Sequence, residues 1–296
     1  MTDHGQVPPQ PFRWALSSYG GAAPARLGTL TDGAPPARPR HLPELTTCTG
    51  KVLARARAAD LCFVGRSLDS MYDLLTGALE DTNWPGGLAR LPISLRCAGA
   101  LDPAARARFR EHLASVGLEP YALARRKRPI ALVDVVCEGI TFDTIHRELA
   151  AWIEETREPW AVIRRKLRYV GVTIRGASSP NRWRWQQSPE SAPWVRTLPA
   201  EHVVNVSLEP QVWSWLGDAQ PKLHRSFPPA RWFEEDAAAA RHPSGLAAAL
   251  AEARAMVAAG RTRTVRDGLV RTMAREPGFA DREVRALVSA LRHRAR

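Results

Sequence analysis

The chain has 296 residues, 45% hydrophobic and 24% charged, with 10 Trp and a formal net charge of +12. Such a composition buries enough surface to offset chain entropy, which excludes disorder throughout, and no run approaches the ~18 apolar residues of a membrane span. The basic balance favours phosphate-bearing partners, yet only Lys51, Lys127, Lys166 and Lys222 among its 42 basic residues are lysines, an arginine habit that weakens overall charge as a guide. The first residues lack a basic end followed by an apolar run, so no secretory signal is expected. Cys48, Cys62, Cys97 and Cys137 form no CxxC pair, which fits reduced thiols and a cytoplasmic protein.

In chain order, residues 1–48 read as an irregular, loosely attached arm, because the first 43 residues hold eight of the 24 prolines. Residues 49–176 read as an α/β core. Leu61-Cys-Phe-Val64 is a short apolar strand, followed by a helix with Leu68, Met71, Leu75 and Leu79 at helical spacing. Leu91 to Leu95 is a candidate strand. Asp102-Pro103 opens a helix that places Phe109, Leu113 and Val116 on one face and stops at Gly117. Ile130-Ala-Leu-Val-Asp-Val-Val136 is the strongest strand, and the helix after it carries Ile145, Leu149, Trp152 and Ile153. Leu167 to Ile174 supplies another strand. Apolar strands separated by helices predict a parallel sheet covered on both faces.

Residues 177–236 form a Trp-rich hood or accessory segment, and residues 237–296 a basic helical C-terminal extension. Gly260 and Pro277-Gly278 divide that extension into three helices. From Arg254 to Arg296 it carries 11 arginines against four acids; such charge usually solvates helix faces, though it can also meet nucleic acid.

Ligands bind at the carboxyl ends of parallel strands, where the next helix offers free amides. Two such junctions stand out. In Phe63-Val-Gly-Arg-Ser-Leu-Asp69, Gly65 permits a sharp turn, Arg66 offers a guanidinium fork, and Ser67 can cap the helix. In Leu132-Val-Asp-Val-Val-Cys-Glu-Gly-Ile-Thr-Phe142, Asp134 stands on the strand and Thr141 opens a helix beyond Gly139. A carboxylate beside a glycine-bearing cradle suits a sugar phosphate: amides and Thr hydroxyl take the phosphate, and the acid takes ribose hydroxyls or a magnesium ion through water. The plain alternative is a strand–turn–helix whose glycine serves only the turn.

The second junction resembles the phosphoribosyl-diphosphate (PRPP) signature of type I phosphoribosyltransferases, and the first is similar to that family's pyrophosphate loop. The resemblance covers residues 49–176. It implies a phosphoribosyltransferase-like sheet and transfer of the phosphoribosyl group to a small-molecule acceptor with release of pyrophosphate. PRPP and Mg2+ fall at Asp134, with Asp134, Cys137, Glu138, Gly139, Ile140 and Thr141 as the PRPP loop and Asp134, Cys137 and Glu138 as its catalytic positions. Gly65, Arg66 and Ser67 take pyrophosphate. The chain departs from the pattern where Val133 replaces the first of two acids, Cys137 an aspartate that often serves as base, Glu138 the first Thr of the cradle, and Ile140 its second Gly.

Asn181-Arg-Trp-Arg-Trp185 alternates guanidinium and indole groups, which assigns Arg182, Trp183 and Trp185 to the acceptor, with a Trp-rich mini-core as the competing reading. Val212-Trp-Ser-Trp-Leu-Gly217 and Lys222-Leu-His-Arg225 extend that texture. Cys137 could act as a nucleophile at a helix N-terminus, or be a small buried filler. The histidines form no metal-ligand pair. An alternative function is a non-catalytic PRPP or nucleotide sensor that binds nucleic acid through its basic surface. A homodimer stays open.

Overall fold

A computed structural model describes residues 13–21, 23–32, 34, 37–95, 101–176, 184–223, 228–231 and 245–293. Five parallel strands form one sheet: β1 (Asp60–Val64), β2 (Leu88–Leu91), β3 (Ile130–Val135), β4 (Leu167–Ile174) and β5 (Val203–Leu208), in the order β2-β1-β3-β4-β5. The first crossover runs from β1 outward to β2, and the next returns past β1 to β3. The winding direction therefore reverses between β1 and β3, where the two outgoing loops part and leave a crevice at the carboxyl ends.

Period-two alternation assigns the faces. Leu61, Phe63, Ala131, Val133, Val170, Val172 and Val206 pack one core, and Cys62, Val64, Ile130, Leu132, Leu167 and Tyr169 pack the other. The helices are α1 (Leu42–Arg55), α2 (Asp69–Leu79), α3 (Pro103–Ser115), α4 (Pro120–Arg125), α5 (Ile140–Glu155), α6 (Trp160–Ile163), α7 (Ala192–Val195), α8 (Pro210–Ser214), α9 (Leu246–Gly260), α10 (Arg263–Met273) and α11 (Arg282–Arg292). The first core takes its helical residues from α1, α2, α8, α9, α10 and α11, the second from α3, α4, α5, α6 and α7. Asp102 caps α3 as expected, its Oδ1 accepting from the Ala105 amide at 2.7 Å.

The C-terminal helices are thus one wall of the sandwich and no appendage. Gly77 of α2 and Gly260 of α9 show how closely they seat: a Cβ on Gly77 would fall 2.0 Å from the Val257 carbonyl oxygen, and one on Gly260 would fall 2.2 Å from that of Leu74. Charged groups of the block also tie it to the rest of the fold. Arg261 pairs with Glu80, Arg266 donates to the Glu80 carbonyl, and Glu276 takes Arg55.

The arm is also tied down. Arg13 forms ion pairs with Asp69 and Asp73, the Ser18 amide and hydroxyl both donate to Glu80 Oε1, and the Tyr19 hydroxyl donates to the Gly86 carbonyl. Trp14, Leu16, Leu27 and Leu30 cover Leu246 and Leu250 of α9. Two strand expectations shift. The expected Leu91–Leu95 strand is a loop after its first residue, with β2 lying just upstream, and the Trp-rich segment contributes β5 to the sheet. No helix among the described residues is long and apolar enough to cross a membrane.

Candidate functional site

A cavity of about 540 Å3 opens at the carboxyl ends of the strands, on the crevice between β1 and β3. Both sequence-derived junctions line it. Gly65, Arg66 and Ser67 come from the loop after β1; Asp134, Cys137, Glu138, Gly139, Ile140 and Thr141 come from β3 and the start of α5. Seventy residues separate the loops along the chain, and the β1–β3 pairing of Phe63 with Val133 brings them together. Both glycines sit where a side chain would be strained, Gly65 at φ 70° and Gly139 at φ 89°.

Asp134 holds the floor. Alternation turns it to the α5 face of β3, and it is 8% exposed. One oxygen accepts the Val135 amide at 2.7 Å, while no described residue bonds the other. Burial pushes its carboxyl up to about 8, against the opposing pull of the Val135 hydrogen bond and of Lys222. At neutral pH it is mostly a protonated acid, able to donate as well as accept.

Lys222 was singled out only as part of the Trp-rich texture, yet it is the second charged anchor of the cavity. Its Nζ donates to the carbonyls of Leu216 at 2.9 Å and Arg66 at 3.1 Å. Burial pulls its ammonium down to about 7, despite the attraction of Asp69, Asp218 and Asp134. Gln220 fastens the same segment to the first loop: Nε2 donates to the Ser67 carbonyl at 2.6 Å, and Oε1 accepts from the Ser70 hydroxyl at 2.6 Å. Burial also lowers the Arg66 guanidinium. Ser67 contributes its carbonyl to this latch and does not cap α2, whose N-cap is Leu68 without a side-chain bond.

The opposite side is apolar. Pro92, Ile93 and Leu95 stand on the loop after β2, Ile140 is an exposed rim residue, and Trp213 forms a further wall. The Trp213 indole N–H donates to the Val172 carbonyl at 3.0 Å, which fixes the ring at the end of β4.

Trp185 lies elsewhere. It is 2% exposed, donates to Asn205 Oδ1 at 2.7 Å, and wedges under the cradle. A Cβ on Gly139 would come within 2.7 Å of its ring, and one on Gly171 within 3.0 Å of its Nε1. Its ring is therefore core, which corrects its expected place on the acceptor. Arg182 and Trp183 fall outside the described residues. Asp143 in the first turn of α5 accepts from the Ser191 hydroxyl and the Trp194 indole, each at 2.7 Å, and locks the same corner.

Cys137 and Glu138 are both exposed at the rim. Cys137 is no buried filler, and Glu138 retains solvent to screen its charge. The other described cysteines, Cys48 and Cys62, are buried, and burial pushes each thiol up to about 12.

No group of three or more His, Cys, Asp or Glu that could hold a metal ion occurs among the described residues. Magnesium bound with a phosphorylated ligand needs only one or two carboxylates, its other positions being filled by water and phosphate oxygens, and Asp134, Glu138 and Asp218 are the acids that line the cavity.

No protein-family model, curated protein or solved structure matches the chain. What the site offers thus follows from its own geometry: the first turn of α5, a buried acid, a guanidinium and a buried amine, beside an apolar wall.

Proposed function

We propose that the chain is a phosphoribosyltransferase-like enzyme, which binds PRPP as its magnesium salt and passes the phosphoribosyl group to an acceptor lodged against the apolar wall. The observation that carries this reading is the meeting of the 65–67 and 137–141 loops in one cavity with Asp134 between them. In this reading the first amides of α5 and the Thr141 hydroxyl receive the 5-phosphate. Asp134 holds a ribose hydroxyl. Arg66 and Lys222 face the diphosphate, and Trp213, Ile93 and Leu95 face the acceptor.

The bond from the anomeric carbon to the diphosphate oxygen breaks, a bond to the acceptor nucleophile forms, and pyrophosphate leaves with its charge offset by Arg66 and Lys222. The acceptor's proton passes to solvent or to a rim group. Catalysis on this scheme is positioning plus charge neutralisation of the leaving group. Ligand charge also restores the ammonium form of Lys222, so binding and protonation support each other.

Differential scanning fluorimetry tests the reading. PRPP and magnesium pyrophosphate should each raise the melting temperature, because a ligand at a hundred times its Kd adds about 2.7 kcal/mol. Absence of a shift with both at millimolar concentration would remove the reading. PRPP binding without pyrophosphate release, across a panel of planar acceptors, would turn the chain into a sensor of the same ligand. The nucleic-acid arm of that alternative would draw on the arginines of α10 and α11 that stay exposed, since Arg266 is buried against the Glu80 carbonyl.

A further inference from the structure

Behind the diphosphate side of the cavity lies an ion cluster that the proposed chemistry does not use. Asp69 opens α2, the helix that follows the Gly65–Ser67 loop. Its carboxylate meets Arg13 Nη1 at 3.0 Å through Oδ2, and Arg90 Nη2 at 3.1 Å and Nε at 3.3 Å through Oδ1. Asp73, one turn on, takes the other branch of Arg13. All four side chains are at most 10% exposed, and the Tyr72 ring lies beneath both guanidinium groups, at 5.4 Å from Arg13 and 5.7 Å from Arg90.

The cluster is not electrically closed. The charge of Asp69 also acts on Arg66 and on Lys222, the two cavity cations. Asp69 therefore stands between two sets of cations, Arg13 and Arg90 behind it and Arg66 and Lys222 in front. With the rear set in place, its charge is spent away from the cavity. Without Arg13, Asp69 Oδ2 would lose an ion-pair partner, and more of the Asp69 charge would be left to act on Arg66 and Lys222. Removing one partner of a buried pair leaves the other uncompensated.

From this arrangement we infer that Arg13, carried by the N-terminal arm, is a positioning residue of the anion site: by neutralising Asp69 and Asp73 it leaves Arg66 and Lys222 available to a diphosphate. The arm thereby becomes part of the ligand site without touching the ligand. This rests on the proposed use of the cavity for a diphosphate. Arg13 bridges both acids, whereas the hydrogen bonds of Arg90 described above run to Asp69 Oδ1.

The test is a charge cycle on the full chain, read by calorimetric titration with magnesium pyrophosphate. Arg13→Gln should raise the Kd about tenfold, equivalent to ~1.4 kcal/mol. Asp69→Asn alone should bind pyrophosphate more tightly than the wild type. The double variant Arg13→Gln with Asp69→Asn should return to within about threefold of the wild type, because Asp69, the acid of the pair that acts on Arg66 and Lys222, is then neutral. A merely structural Arg13 would predict no rescue of Arg13→Gln by Asp69→Asn. Should Arg13→Gln fail to fold, the other two variants still decide. An Asp69→Asn affinity at or below that of the wild type, or a double variant weaker than threefold, overturns the inference. A wild-type chain without affinity for pyrophosphate overturns the proposed function and this inference with it, whereas wild-type binding with a flat cycle overturns the inference alone.

Discussion

Asp134→Asn isolates the most perturbed acid of the cavity with almost no change of shape. Burial moves the carboxyl from 3.8 to about 8, roughly four units at 1.36 kcal/mol each, a ceiling of ~5 kcal/mol on what the shift contributes. The sign follows from linkage. Because the native pKa is raised, the folded chain keeps a proton that the unfolded chain releases above about pH 4. The associated stability is complete below that pH and is lost as pH rises towards 8. Lys222 acts in the opposite sense: its ammonium is lowered from 10.5 to about 7, so its cost is constant below pH 7 and is relieved only above it. Between pH 5 and pH 7 the wild type and the Asn variant therefore differ through Asp134, since the buried His112 and His146 titrate alike in both. Over those two units the wild type should lose about 2–3 kcal/mol that the Asn variant keeps, all other titrations being common to both. Urea unfolding at pH 5, 6 and 7 measures the difference. A wild-type minus variant gap that stays flat across the three pH values would refute a buried, protonated Asp134.

Three further outcomes follow from the same geometry. Arg66→Ala and Lys222→Met should each weaken pyrophosphate by roughly ten- to a hundredfold, since hydrogen bonds to charged groups contribute about 1.5–3 kcal/mol; calorimetric titration checks both, and an unchanged affinity removes the residue from the site. Trp185→Ala should cost ~3–5 kcal/mol in chemical denaturation as a buried ring is lost, whereas Trp213→Ala should spare most of the stability and weaken a planar acceptor by the ~1–3 kcal/mol of a stacking contact. Gly77→Ala should lower the melting temperature markedly, because its Cβ would meet the Val257 carbonyl oxygen at 2.0 Å and overpacking costs about 1–3 kcal/mol or more.

The strands that could be read were those buried on both faces. Leu61–Val64, Ile130–Val135 and Leu167–Ile174 are apolar runs because central parallel strands have no solvent side. β5 escaped notice as an edge strand: Asn205 and Ser207 interrupt its apolar residues, and its sequence is set among prolines and tryptophans. β2 is only four residues long and carries Arg90, so the stronger apolar signal just downstream displaced it. α1 was hidden by composition. Thr46, Thr47, Thr49 and Gly50 are weak helix formers, and the helix survives because Leu45, Val52 and Leu53 are fully buried, while the threonine hydroxyls are satisfied by the carbonyls one turn back.

The site divides along the same line, between what is local and what is not. A glycine at φ 70° or 89° is forced by the turn it makes, so Gly65 and Gly139 leave their mark within a few residues of sequence. The Trp213–Lys222 wall has no such mark. Its position depends on Gln220 reaching the Ser67 carbonyl and Ser70, and on Lys222 reaching the Arg66 carbonyl, some 150 residues away in the chain. The tryptophans make the same point in reverse: alternation with arginine suited Trp185 to a ligand, yet Gly139 and Gly171 leave a gap on the sheet that only a large flat ring fills. Trp213 instead ends on the cavity because its N–H is claimed by the Val172 carbonyl at a strand terminus. The partner that each indole N–H finds, Asn205 within the sheet or Val172 at its carboxyl end, thus decides which ring is core and which is wall. Asn205 stands on β5 and Val172 on its neighbour β4, so the edge strand that its own sequence concealed supplies the partner that makes Trp185 core.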